Sequence, residues 1–317
     1  MSYEEILNNV AQQCRYEPVI VNAGAVKPFD RVVILGMGGS RLGPDLLKAY
    51  RPDMDIHVHS DYGLPALTDE KLKSSLIIAN SHSGGTAEVL DGANEALKRG
   101  FNLAVIDSGG PLAELAQSQN LVHIITPDHD LPPRTTVISD LAALMALLNI
   151  DRAPLVACAS IAAADLSQQA GSLASALFGS VPIIYAPTAY YAVGYCWKII
   201  MNETAKVPAF CNRFPELDHN ELAGYDPSSR ELFQKFHVVC LCDRADARMT
   251  RRIEATIAVL QKQNIPVTTV DLAGASMIEK MVSSFFLAHW TGLKLAEKRG
   301  VDPIAIPIVE ELKKSTR

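Results

Sequence analysis

The sequence of 317 residues has few of the features that mark secreted, membrane-spanning or nucleic-acid-binding proteins. Its six cysteines include no C-x-x-C pair, which favours neither a disulfide framework nor a zinc site. The longest apolar run, Leu141–Leu148, is far shorter than the roughly 20 residues that a membrane span needs. With 29 basic and 35 acidic residues, the formal net charge of −6 gives no general attraction for nucleic acid or anionic lipid. We therefore expect a cytoplasmic protein with neither nucleic acid nor a membrane as partner.

The composition is that of a globular protein large enough for two domains. Hydrophobic residues make up 48% and charged residues 20% of the chain. At roughly 100–200 residues per domain, the length predicts two domains, each with its own core. We place them at residues 1–150 and 151–317, with the join in 150–159.

Short β-branched runs alternate with helical patterns along the whole chain. The predicted strands of the first half are Arg31–Leu35, Asp55–His59, Ser75–Ala79, Asn102–Ile106 and Leu121–Ile125. The second half repeats the pattern with Val181–Tyr185, Phe236–Cys242 and Val267–Asp271. Such alternation, with strands apolar throughout, predicts parallel sheets covered by helices on both faces. The fold class is therefore α/β, with two tandem doubly wound units, each an α/β/α sandwich.

A glycine-rich loop follows the first predicted strand and opens a helix. It reads Gly36-Met-Gly-Gly-Ser-Arg-Leu-Gly43, and glycines here let backbone N–H groups approach an anion closely. Arg41 occupies the place of the third glycine in a G-x-G-x-x-G fingerprint, which argues against a nucleotide-dependent dehydrogenase. Ser40 adds a hydroxyl where a phosphate would lie. A tight strand-to-helix turn without a ligand would give the same pattern.

A second loop, after the third predicted strand, carries three hydroxyl groups, on Ser81, Ser83 and Thr86. Together with two glycines they would form an anion cradle at another helix N-terminus. Ordinary N-capping by Ser83 or Thr86 explains one of these hydroxyls but not all three. Because parallel strands end at one edge of a sheet, both loops would converge on one crevice, sized for a single phosphate.

These motifs resemble those of sugar isomerase (SIS) domains, in which a strand is followed by Ser-x-Ser-Gly-x-Thr-x-Glu. The segment 214–221, Phe-Pro-Glu-Leu-Asp-His-Asn-Glu, narrows the resemblance to the bifunctional phosphoglucose/phosphomannose isomerase family. The glycine loop, Pro133-Arg134 and Asp302-Pro303…Leu312-Lys313 stand in the order typical of that family. The serine loop alone is shared with sugar-phosphate sensors, whereas the histidine segment is more specific.

The resemblance implies two tandem SIS domains, the first with the phosphate loops and the second with the catalytic base and a C-terminal helix. It implies a cofactor-free, metal-free isomerase that interconverts glucose 6-phosphate and mannose 6-phosphate with fructose 6-phosphate through a cis-enediol(ate). It also implies a homodimer. A non-catalytic SIS-domain sugar-phosphate sensor is the alternative, but it has no need of Glu203, His219 and Lys313 together.

Two residues would serve the proton-transfer step in such an isomerase, one as the base and one as a stabilising charge. Glu203 ends a helical pattern in which Val193, Cys196 and Ile200 precede it, so it continues a buried face. Without the resemblance it would be a surface charge at a helix end; with it, Glu203 is the general base. Arg134 precedes a predicted helix, where a cation is electrostatically misplaced. The resemblance makes it the group that stabilises the enediolate.

Ring opening would fall to His219 and Lys313. The segment 218–221 also fits a capping box with an exposed histidine. In the family this histidine reaches the site from the neighbouring subunit. Lys313 lies in a predicted final helix whose Ile308, Val309 and Leu312 we expect to pack inward. Lys314 is a rival for the lysine's role.

The phosphate would be bound by residues of the two loops, namely Gly39, Ser40, Ser81, Ser83 and Thr86. Four nearby residues depart from the family pattern. Arg41 and Pro44 replace a small residue and a glycine, while His82 and Gly85 replace a tyrosine and an asparagine. We expect Pro44 in the first turn of its helix, where proline is tolerated. These departures bear on substrate preference.

Overall fold

The computed structural model describes residues 1–127, 129–161 and 163–315. It divides into two compact units. The first unit is Asn9–Ser160, and the second unit is Met1–Asn8 with Ile161–Arg317. The division falls ten residues after the boundary placed from the sequence, because the helix Ala153–Ala157 packs against the turn Ala11–Arg15 of the first unit.

The described residues form nine strands in two sheets, and every neighbouring pair is parallel. The strands are β1 Arg31–Leu35, β2 Ile56–His59, β3 Ser75–Ser81, β4 Asn102–Asp107, β5 Val122–Ile125, β6 Val181–Pro187, β7 Phe210–Phe214, β8 Phe236–Cys242 and β9 Val267–Asp271. The first sheet has the order β2-β1-β3-β4-β5 and the second the order β7-β6-β8-β9. The predicted fold class is confirmed, although the sequence did not predict β7, a half-exposed edge strand.

The helices of the described residues are α1 Tyr3–Val10, α2 Gly39–Tyr50, α3 Asp69–Lys73, α4 Ala87–Lys98, α5 Pro111–Ser118, α6 Val137–Leu147, α7 Ala153–Ala157, α8 Ala163–Leu177, α9 Tyr191–Glu203, α10 Arg230–Phe233, α11 Ala247–Lys262, α12 Met277–Arg299 and α13 Pro307–Ser315. Each sheet contributes to a separate apolar core, one including Val33 and Ile77 and the other Ile183 and Val238. None of the described helices is both long and apolar enough to cross a membrane.

The order of strands locates a ligand crevice in the first unit. In a doubly wound sheet, ligands bind beyond the carboxyl ends of the two adjacent strands at which the winding reverses. In the first sheet these strands are β1 and β3, which the two candidate phosphate loops follow. In the second sheet they are β6 and β8. There Asp243, after β8, accepts hydrogen bonds from Lys280 at 2.7 Å and Tyr190 at 2.8 Å, so polar side chains fill that position.

Helix α13 corrects one expectation. Ile308, Val309 and Leu312 do not pack inward but are 82%, 40% and 62% exposed. The sequence pattern is amphipathic, yet none of the α13 residues is buried in a single chain. Amphipathicity shows that a helix has an apolar face, not that its own chain covers that face.

Candidate functional site

The loop after β1 is built on close backbone packing. Gly38 has φ +54°, a left-handed conformation that glycine adopts without strain, and α2 begins at the next residue. A Cβ on Gly39 would lie 2.7 Å from the carbonyl carbon of Pro133 and 3.0 Å from the nitrogen of Arg134. The missing side chain therefore lets the loop lie directly against the Pro133-Arg134 backbone.

We expected Pro44 in the first turn of its helix, but it lies in the second turn, because α2 begins at Gly39. A proline there has no N–H for the carbonyl of Ser40, four residues earlier. The side-chain amide of Asn80, on β3, donates to that carbonyl instead, at 2.8 Å. The proline thus frees an oxygen by which the neighbouring strand holds the loop.

The same amide donates to Asp140 of α6, with 3.0 Å between Asn80 Nδ2 and Asp140 Oδ2. A Cβ on Gly43 would lie 2.3 Å from that carboxylate oxygen, so a larger residue there would displace the Asp140 side chain. Burial raises the pKa of Asp140 to about 7, although the Asn80 hydrogen bond acts in the opposite direction. A carboxyl group therefore titrates near neutral pH beneath the glycine loop.

In the second loop, the hydroxyls of Ser81 and Thr86 are 2.8 Å apart and hydrogen-bonded. Thr86 is the N-cap residue of α4, but its side chain accepts no hydrogen bond from the first turn. The exposed Ser83 accepts a bond from the N–H of Gly85 at 3.3 Å. N-capping therefore does not account for these three hydroxyls, which remain on one loop at the carboxyl end of β3.

His82 joins this loop to its neighbours. Its N–H donates to Ser40 Oγ at 2.8 Å, and its carbonyl accepts from Ser108 Oγ at 2.5 Å. Its Nδ1 lies 3.4 Å from the hydroxyl of Thr136. These segments border a small cleft lined by Gly39, Ser40, Asn80, His82, Ile106, Asp107, Thr126, Pro133, Thr136 and Asp140. Arg41 is not among the lining residues; it forms an ion pair with Asp45 at 2.9 Å.

Arg134 is 1% exposed and lies in a 3-10 turn directly ahead of α6. The backbone of this turn is held on both sides. The hydroxyls of Thr135 and Thr136 donate to the carbonyls of Pro132 and Pro133, and Gln13 Nε2 donates to the carbonyl of Thr135 at 2.8 Å. The structure thus brings all the candidate residues of the first unit to the carboxyl edge of the first sheet.

In the second unit, Glu203 is the last residue of α9 and is half-buried. Val193, Cys196 and Ile200 on the same helix are fully buried. The ammonium group of Lys206 donates to the carbonyl of Glu203 and closes the end of the helix.

His219 is exposed at the end of a 3-10 turn, and the alternative interpretation of 218–221 as a capping box is wrong, because no side chain caps the turns there. The carboxylate of Asp218 accepts instead from Arg252 at 3.0 Å and Thr256 at 2.8 Å. That of Glu221 accepts from the buried Tyr185 hydroxyl at 2.6 Å. Two anchored carboxylates therefore hold the segment that presents the histidine.

The structure does not bring Glu203 and His219 together within one chain. Helix α9 starts beyond the carboxyl end of β6 and must return to the amino edge of the sheet, because β7 runs parallel to β6. Glu203 therefore lies toward the amino edge, whereas His219 follows β7 at the carboxyl edge. Lys313 and Lys314 are exposed in the last turn of α13.

Sequence reasoning missed Asn80 and Asp140, which contact the glycine loop from another strand and another helix. The one signal in the sequence was Pro44 inside a helix, because a proline there leaves the carbonyl of Ser40 without its partner in the helix. Across residues 1–127, 129–161 and 163–315, no group of three or more His, Cys, Asp or Glu side chains could hold a metal ion.

Comparison with known proteins gives a consistent result. A family model described as the bacterial phospho-glucose isomerase C-terminal SIS domain matches residues 166–315. Bifunctional phosphoglucose/phosphomannose isomerases from Thermoplasma volcanium and Thermoplasma acidophilum are each 30% identical to this chain. The first match covers 99% of both chains, and the second 99% of this chain and 97% of the relative. A hypothetical protein from Thermus thermophilus has the same fold, with a TM-score of 0.71 at 18% identity over 99% of this chain and 89% of that one.

Proposed function

The chain belongs to the bifunctional phosphoglucose/phosphomannose isomerase family, and from this premise we propose that it interconverts glucose 6-phosphate and mannose 6-phosphate with fructose 6-phosphate. The observation that carries the proposal is the 30% identity over 99% of both chains with a relative of that name. The resemblance inferred from the motifs is thereby confirmed. The two aldoses differ only at C2, so removal of the C2 proton from either gives the same enediol.

The phosphate is bound, in this proposal, by Gly39, Ser40, Ser81, Ser83 and Thr86. In support, both loops follow the strands at which the winding of the first sheet reverses. Backbone N–H groups and hydroxyls at the start of α2 and α4 suit a dianion, because the N-terminus of a helix carries partial positive charge.

Glu203 acts as the base that takes the proton from C2 of the opened aldose and returns it to C1. The negative charge that develops on the sugar oxygen during this step is stabilised by the Arg134 guanidinium. In support, Arg134 is buried, so its charge acts in a medium of low dielectric constant. Glu203 closes a helix whose preceding turns are buried, which restricts the directions its carboxylate can take.

His219 and Lys313 open the sugar ring in this proposal, and His219 serves the site of a partner chain in a homodimer. The placement of Glu203 and His219 toward opposite edges of the second sheet supports the second point. We also assign the protein to the cytoplasm. The six cysteines, all in the described part of the chain, are thiols rather than disulfides and five are buried, as is usual in a reducing compartment.

The test is Glu203→Gln in a coupled assay that offers all three hexose phosphates. We expect kcat to fall by at least roughly a thousandfold, because an amide cannot accept the C2 proton, while substrate still protects the protein against thermal unfolding. Near-normal turnover would remove Glu203 from the role of base. Wild-type protein that binds the hexose phosphates without turning them over would instead be a sensor.

A further inference from the structure

A buried hydroxyl links three distant segments of the second unit. Tyr3, in the first turn of α1, is 2% exposed. Its Oη lies 2.9 Å from Thr204 Oγ1 and 2.8 Å from His289 Nδ1. Thr204 and His289 are themselves fully buried, and the His289 ring packs edge-on against Phe285 with 4.6 Å between ring centroids. The hydroxyl, the threonine and the imidazole therefore form one network with a fixed geometry.

This network lies at the end of the helix that carries the proposed base. Thr204 directly follows Glu203 and is the C-cap residue of α9. The same turn rests on α12, where a Cβ on Gly292 would lie only 2.7 Å from Ile200 Cγ2 and 3.4 Å from Thr204 Cβ. Helix α12 also carries His289. Tyr3 therefore fastens the last turn of α9 to α12 at a point where the two helices already touch.

A helix terminus needs such a fastening. The last four carbonyls of a helix lack partners within it, and terminal turns open at little cost in free energy. A base at that terminus must nevertheless hold its carboxylate within about 0.5 Å of the position for proton transfer. The bond between Tyr3 and Thr204 restrains the backbone one residue from Glu203, so the network acts on the helix end from which the carboxylate projects.

We propose that Tyr3, through Thr204 and His289, is a positioning residue that fixes Glu203 for proton transfer. This inference rests on the proposed function, since it gives Tyr3 a role only if Glu203 is the base. It predicts that loss of the Tyr3 hydroxyl slows the proton-transfer step and leaves phosphate binding, which the first unit provides, unchanged.

The experiment compares Tyr3→Phe, Thr204→Val and Thr204→Ser by steady-state kinetics with glucose 6-phosphate and with its C2-deuterated form. We expect the first two to lower kcat about tenfold and to leave KM within about twofold, and the isotope effect on kcat to rise. Thr204→Ser keeps the hydroxyl and should restore most of the activity. The control is Thr268→Val, which removes another threonine–histidine hydrogen bond of the second unit, 2.8 Å to His237.

Unchanged kcat in Tyr3→Phe would overturn the proposal, and so would an equal loss in Thr268→Val or a loss confined to KM. If Tyr3→Phe does not fold, Thr204→Val and Thr204→Ser carry the same test between them. Glu203→Gln is measured alongside. Full activity of that variant would refute the proposed function, whereas its inactivity with a normal Tyr3→Phe enzyme would refute the positioning role alone.

Discussion

Substituting Gly39 by alanine tests whether the glycine loop and Arg134 act as one rigid assembly. The new methyl group would lie 2.7 Å from two carbon atoms of Pro133, and ordinary contacts begin at 3.4 Å. The loop and the Pro133-Arg134 backbone must therefore separate by about 0.7 Å. A displacement of about 1 Å at a reacting centre can cost 100-fold in rate, so we expect kcat to fall roughly 10- to 100-fold. Overpacking should also cost about 1–3 kcal/mol of stability.

The assay measures kcat and KM for fructose 6-phosphate and the free energy of unfolding in urea. The matched control is Gly24→Ala, since a Cβ on Gly24, in the same unit, would have no atom within 4 Å. That variant should keep wild-type kinetics. Wild-type kcat in Gly39→Ala would refute the reasoning, because it would show that the loop can move without affecting Arg134.

Three further results are expected. The folded-state pKa of Asp140, about 7, exceeds its unfolded value of roughly 3.9. The stability of the wild type relative to Asp140→Asn should therefore be greatest below about pH 4, fall as the pH rises to about 7 and then stay constant. The check is the melting temperature of both proteins as a function of pH, and two parallel curves would contradict the expectation. An equal mixture of Glu203→Gln and His219→Asn subunits should regain roughly a quarter of wild-type activity, because half of the dimers contain one subunit of each variant and one of the two sites in such a dimer is intact. No recovery would place His219 in its own chain's site. Pro44→Ala supplies an N–H for the carbonyl that Asn80 holds, so its effect on stability should differ between wild-type and Asn80→Ala backgrounds.

The first sheet could be predicted from the sequence almost residue by residue. Most of its strands are short apolar runs; β1 is followed directly by Gly36 and β3 ends at Ser81, which places both candidate loops at the carboxyl edge. Strand β7 could not be predicted, because Asn212 and Arg213 interrupt its apolar pattern on an exposed edge.

The side-chain partners of the site depend on contacts that sequence spacing does not encode. Asp218 and Glu221 stand three residues apart, as in a capping box, yet each carboxylate finds its partner on a different distant segment. Tyr3 is separated by 201 residues from the threonine that it contacts. Local patterns predict local hydrogen bonds, and here tertiary partners displaced them.

One topological rule explains both what the fold assembles and what it separates. In a parallel sheet, residues that follow strands gather at the carboxyl edge, whereas residues that end the returning helices lie toward the amino edge. The glycine loop, the serine loop and His219 all follow strands, and Glu203 ends a helix. The two candidate phosphate loops follow neighbouring strands of one sheet, so both lie in the first unit. In the β6-α9-β7 crossover, Glu203 ends α9 before β7 begins, and His219 follows the carboxyl end of β7. That placement supports the proposal that His219 serves the site of a partner chain.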